Sequence, residues 1–175
     1  MAAPHFIVTP DLYTSKSNRF INYIIDLMVI LGVVFGLFFL IIYLCYQYLD
    51  DVSAIDSLLN SFENVNGLVD RLVTGTVLAI CYFATETLLK GRSFGKYVTK
   101  TKVVLEDGSS PSLVHYLKRS FSRIIPFEAF SFLGAEGRGW HDTISKTYVV
   151  DIEKLNEKMK AQNSLDQIGV AQDDY

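Results

Sequence analysis

Apolar positions are concentrated in two long runs instead of being spread evenly along the chain. Leu27 to Leu49 is 23 residues without a charge. As a helix it would extend roughly 34 Å, enough to cross a bilayer core. Tyr43, Tyr46 and Tyr48 gather at its far end, where an interfacial aromatic belt would sit. The run is too long for the h-region of a signal peptide, and no small-x-small cleavage site follows it. A second run, Leu72 to Leu89, has 18 residues and one charge, Glu86. By length it could be a core helix of a soluble protein, but beside the first run a second span is expected.

Lys and Arg counts near the run ends give the orientation. Asp50 to Asp70 carries Asp50, Asp51, Asp56, Glu63 and Asp70 and no Lys or Arg. Lys16 and Arg19 precede the first run, and Lys90, Arg92, Lys96, Lys100 and Lys102 follow the second. Both termini are therefore expected in the cytoplasm and the acidic loop outside. Cys45 and Cys81 both fall within the runs, so no disulfide is expected.

Elsewhere the pattern shortens. Thr99 to Leu105 alternates and is β-branched, Asp107-Gly108 offers a turn, and Thr147 to Val150 is a second β-type run. The two could pair as a ribbon. Between them, His115, Lys118, Arg119, Ser122 and Arg123 recur on one helical face, while Val114, Leu117, Phe121, Ile124 and Ile125 fill the other. Ser112 is a plausible N-cap. This predicts an amphipathic helix over about 112–132, lying on the cytoplasmic membrane surface with its bases near lipid headgroups. A third span is disfavoured by Lys118, Arg119 and Arg123 and by Pro126. Asp151 to Tyr175 is polar and acidic, expected as a short helix and a frayed tail.

Composition narrows the function classes. Lys+Arg 16 against Asp+Glu 19 gives a net charge of −3, which is no nucleic-acid signature. Two cysteines and three scattered histidines make no metal set, and no cofactor motif is present. Gly91 to Lys96, GRSFGK, misses the phosphate-loop pattern by one residue and lacks the following Ser or Thr. Trp140-His141-Asp142 has no nucleophile in a recognisable elbow, so no catalytic residue is assigned.

The candidate chemistry lies in charges near the spans. Arg19, Asn22 and Asp26 stand at i, i+3 and i+7 and form one helical stripe. Gly75, Ala79 and Glu86 share a face of the second run, and small residues permit close helix approach. Glu86 is thus expected to face the first span near the depth of Asp26. Two such carboxylates could hold a cation or share a proton, or be neutralised by Arg19, Arg119 or Arg123. The sequence alone leaves these alternatives open.

SNRFINYIIDLMVI, YFATETLLKGRSFGKYVTKTKVVLEDGSSPS, KRSFSRIIPFEAFSFL and GWHDTISKTYVV, in this order, resemble the signatures of the RDD family of bacterial membrane proteins, named for an arginine and two aspartates. The resemblance covers roughly Ser17 to Val150. It places Arg19, Asp26 and Asp142 as the naming residues, Glu86, Gly91, Gly95 and Lys96 in the central signature, and His141 before the second aspartate. Ser93 stands where many members have threonine. The resemblance implies a role in transport, in some members monovalent cation/proton antiport.

The expected fold class is an all-α integral membrane protein of the bacterial inner membrane. Residues 1–18 would form a cytoplasmic segment and 19–150 an RDD-like domain with spans about 20–49 and 70–89. Residues 112–132 would form the interfacial helix and 151–175 an acidic cytoplasmic tail. Its candidate cluster is Arg19, Asp26, Glu86 and Asp142, supported by Asn22, Lys96, Arg119, Arg123 and His141. Two spans cannot enclose a pathway. Besides the lipid bilayer and a possible monovalent cation or proton, the expected partners are therefore further copies or other membrane proteins. The competing expectation is a non-transporting accessory or scaffold subunit.

Overall fold

The uncharged run Leu27–Leu49 becomes most of one helix, α1 (Lys16–Tyr48), whose Ser15 cap accepts a bond from Asn18 N at 3.2 Å. The computed structural model describes residues 6–49, 51–63, 65–134 and 137–173. The first five residues, Asp50 and the last two residues of the acidic tail lie outside them. After α1 come α2 (Ser53–Glu63) and α3 (Gly67–Leu88), the latter capped by Asn66 accepting from Leu68 N at 2.9 Å. A helix in the acidic loop was not expected.

The chain then forms a short α4 (Phe94–Val98), β1 (Thr101–Val104), α5 (Leu113–Ser122), a 3-10 turn (Glu128–Leu133), α6 (Trp140–Ile144), β2 (Tyr148–Asp151) and α7 (Ile152–Asp173). The fold is mostly helical, with one two-stranded sheet. The expected ribbon is present: β1 and β2 pair antiparallel, Thr101 opposite Asp151 and Val104 opposite Tyr148. The acidic tail differs from its expectation, because α7 is one helix of 22 residues.

Among the described residues two helices, α1 and α3, are long and apolar enough to cross a membrane. Only 11% of the most apolar stretch of α3 is buried, unlike a soluble core helix. Leu37, Phe39, Ile41, Leu72, Val73 and Ile80 are all exposed, an apolar surface that water would not tolerate over such an extent.

The end built from the first residues, the ribbon and α7 has its own core. Val8, Leu12, Val104, Val150 and Leu155 bury one another, with Tyr13 and Met159 packed alongside. Residues before α1 thereby join the ribbon to α7, helped by Val8 N donating to Glu106 O at 2.8 Å and Thr14 N to Val149 O at 3.1 Å.

Packing between the long helices corrects two expectations. α1 packs on α4, and α3 on α5. Gly75 therefore faces Ile124, 3.5 Å from the position of a Cβ, and does not face α1. The spacing argument found the buried face of α3 but not its partner, since close approach suits any helix, including one far along the chain.

The second correction concerns α5. The helix ends at Ser122, well short of 132, with Pro126 and Phe127 (φ 65°) turning the chain into the 3-10 segment. Its two faces divide as the spacing predicts, but most of the polar face is turned into the protein. Tyr116, Arg119, Ser120 and Ser122 are buried, whereas Leu113, Val114, Leu117 and Phe121 are exposed. Of the predicted headgroup bases only Lys118 is exposed. Arg119 lies inside the protein because two buried carboxylates await it.

Candidate functional site

The stripe on α1 forms as predicted: Arg19, Asn22 and Asp26 are all buried on one face. Each meets a different element. Arg19 Nη1 donates to Asp142 Oδ2 at 2.5 Å. The Asn22 amide lies 2.6 Å from Thr99 Oγ1 and 3.1 Å from Thr101 Oγ1. Asp26 accepts from Ser93 Oγ at 2.6 Å and from Gly95 N at 2.7 Å. Both Asp26 contacts stand at the start of α4, where free backbone N–H groups favour a carboxylate.

Gly95 is what lets α4 sit so close. A Cβ there would lie 2.4 Å from Asn22 O. Gly91 meets a different demand. Its φ of +86° lets the chain leave α3, and its N–H donates to Glu86 O at 2.7 Å.

Glu86 does not share a cation or a proton with Asp26. It is fully buried and receives three cations: Lys96 Nζ at 2.6 Å, Arg119 Nε at 3.0 Å and Arg123 Nη2 at 3.4 Å. Arg119, also fully buried, spans to the second carboxylate. Its Nη1 donates to Asp142 Oδ1 and to Thr147 Oγ1, the latter at 2.6 Å. Glu86 on α3, Arg119 on α5, Asp142 on α6 and Arg19 on α1 thus form one continuous chain of ion pairs. The Arg123 guanidinium also lies 4.1 Å over the Tyr82 ring, a cation–π contact.

His141 joins at the edge of this chain. Its Nδ1 meets Glu128 Oε1, and its Nε2 lies 3.2 Å from Asp142 Oδ1. Burial would push the Asp142 carboxyl up, but His141, Arg19 and Arg119 outweigh it and hold the group well below the usual carboxylate range. The same contest, with His141 and Arg123 as the lowering partners, leaves Glu128 at about 2. Lys96 goes the other way from its lysine norm: burial lowers it despite the attraction of Glu86.

All nine predicted site residues are therefore in the cluster, joined by ion pairs or, for Asn22 and Asp26, by hydrogen bonds to α4 and its surroundings. Glu128 was missed, although a single acid within IIPFEAFSFL was a readable signal of a buried partner. Ser93, Thr101 and Thr147 were also missed, because a hydroxyl in a short loop or strand carries no distinctive pattern.

The sequence model of the RDD family matches residues 13–146. The chain belongs to the RDD family. Every charge of this cluster lies inside the matched region, and α7 lies beyond it. Arg19 and Asp142, two of the three residues that the resemblance singled out, are an ion pair here, and the third, Asp26, braces α4. Neither a curated protein nor a solved structure matches the chain.

Proposed function

We propose that this RDD protein is a two-span subunit of the bacterial inner membrane in which the buried charges act as a latch, and that it serves as an accessory or scaffold component. The observation carrying this reading is the saturation of Glu86 and Asp142 by Arg19, Lys96, Arg119 and Arg123. Carboxylates so occupied hold elements together and have no free valence for a passing cation.

In this reading α5 and the following 3-10 turn dip into the inner leaflet beside α3. The outward apolar residues Leu117, Phe121, Ile125, Phe127 and Phe130 meet acyl chains, and the arginines point inward to their partners. Charged side chains at membrane depth are tolerated in this arrangement. Both termini and the ribbon are cytoplasmic, consistent with the Lys/Arg asymmetry. In a chain lacking Cys45 and Cys81, Ser57→Cys is expected to react with an impermeant thiol reagent in whole cells, and Ser164→Cys only after permeabilisation. Labelling of Ser164→Cys in intact cells would reverse the orientation.

One observation favours the second reading, monovalent cation/proton exchange by an oligomer. Among the described residues no Lys or Arg pairs with Asp26, and Asp26 lines a cavity within the cluster. Purified protein in vesicles carrying a pH-sensitive dye separates the two. The latch reading expects sodium, lithium or potassium pulses to move protons no faster than in protein-free vesicles. Cation-driven proton flux that disappears in Asp26→Asn, with normal protein abundance, would establish exchange instead.

A further inference from the structure

The face of α4 turned away from α1 is open. Phe94, Tyr97 and Val98 share one side of this short helix and are exposed, as is Leu88 at the end of α3. Gly95 and Lys96 take the opposite, buried side. Gly95 sits against Asn22, five positions before the uncharged run that begins at Leu27. At 1.5 Å per residue, α4 therefore stands about 7.5 Å outside the hydrocarbon stretch of α1, the depth of lipid headgroups.

Three bases border this face. Lys90 and Arg92 flank Gly91 in the turn that leaves α3, and the turn is held in place. Val103 N donates to Gly91 O at 2.9 Å, and the Tyr116 hydroxyl stands 3.0 Å from where a Gly91 Cβ would be. The Arg92 guanidinium lies 5.0 Å from the centre of the Tyr97 ring, a cation–π contact that keeps it against the exposed aromatic. Lys102, on β1, donates to Ser110 Oγ at 3.2 Å. Burial, and then repulsion from Arg92, push Lys102 below the usual lysine range, and no carboxylate offsets them. Among the described residues the solvent-side ion pairs of lysine are Lys100 with Glu153 and Lys158 with Asp11. Lys90, Arg92 and Lys102 have no such partner, unlike the balanced charges of the buried cluster.

We propose that this surface binds an anionic phospholipid of the inner leaflet, with Arg92 and Lys102 holding the headgroup phosphate and Lys90 adding to the positive field. Phe94, Tyr97, Val98 and Leu88 enter the acyl boundary beside it. Exposed aromatic and apolar side chains at headgroup depth favour the interface, and a basic cluster next to a span is drawn to anionic lipid. A zwitterionic headgroup brings its own cation to the bases and is held less well. A soluble anion would leave the apolar side chains in water. The inference rests on α3 spanning the membrane with its basic end inside, and on neither the latch nor the exchange reading.

The test uses the purified full chain in micelles of a mild neutral detergent. At constant ionic strength, added phosphatidylglycerol raises the melting temperature along a saturating curve, by about 2–4 °C at several-fold excess over the dissociation constant. Phosphatidylcholine at the same mole fraction does not. The rise shrinks in high salt. Arg92→Gln combined with Lys102→Gln loses it, whereas Lys154→Gln, which removes an exposed charge from α7, keeps it. Equal responses to the two lipids, or a full response in the double variant, would overturn the proposal. The same rise with inorganic phosphate and no lipid would overturn the lipid assignment. Should the double variant not fold, the wild-type comparison of the two lipids still decides. Release of the chain from cell membranes by alkaline carbonate would refute the span reading and this proposal with it. A chain that stays in the membrane but is indifferent to lipid charge refutes the proposal alone.

Discussion

Arg119→Met is expected to remove most of the folded protein from the membrane. Arg119 is fully buried and touches Glu86, Asp142 and Thr147, linking α3 to α6 and to the residue before β2 through α5. Methionine preserves much of the length but none of the donors. Deleting one member of a buried ion-pair set costs about 3–5 kcal/mol, a large part of a typical stability of about 5–15 kcal/mol. Size-exclusion chromatography in mild detergent would show a diminished monodisperse peak, and the surviving fraction would melt earlier. Arg119→Met combined with Asp142→Asn is expected to lose less than the sum of the single changes, because the partners share one interaction. An unchanged melting temperature in Arg119→Met would remove Arg119 from the centre of the latch.

Gly95→Ala is expected to be the second most damaging change, against its intrinsic tendency. In an open helix, alanine in place of glycine gains about 1 kcal/mol. At position 95 the added methyl would fall 2.4 Å from Asn22 O and 2.6 Å from Asn22 Cα. These are backbone atoms of α1, which cannot rotate away as a side chain could. Separation of α4 from α1 would also break the Asp26 bonds to Ser93 and Gly95. Overpacking of this kind costs about 1–3 kcal/mol, read as an earlier thermal transition in detergent. Gly32→Ala and Gly36→Ala serve as controls, since nothing lies within 4 Å of where a Cβ would stand at either. Equal tolerance at 32, 36 and 95 would refute the close-approach argument.

The sequence by itself determined the elements whose causes are local. Twenty-three uncharged residues specify a long helix whatever surrounds them. The β-branched runs Thr99 to Leu105 and Thr147 to Val150 specify strands, which form as Thr101–Val104 and Tyr148–Asp151 and which the fold then paired. The i, i+3, i+7 spacing put Arg19, Asn22 and Asp26 on one face, because helix geometry is fixed by the backbone. Family membership was legible too, since ordered motifs are a property of the string.

Partnership was not legible. Periodicity shows that α5 has two faces but not which one turns inward. In α5 the polar face turns in toward the buried carboxylates and the apolar face stays exposed, a choice made by the partners and not by the spacing. Likewise, Gly75 and Ala79 mark a packing face on α3 without saying that Ile124 would fill it. Glu86, Arg119 and Asp142 are separated by 33 and 23 positions, so no local pattern couples them. Their pairing is decided only when α3, α5 and α6 meet in space. There, a buried carboxylate is tolerable only beside a buried cation, and that condition selects the tertiary arrangement.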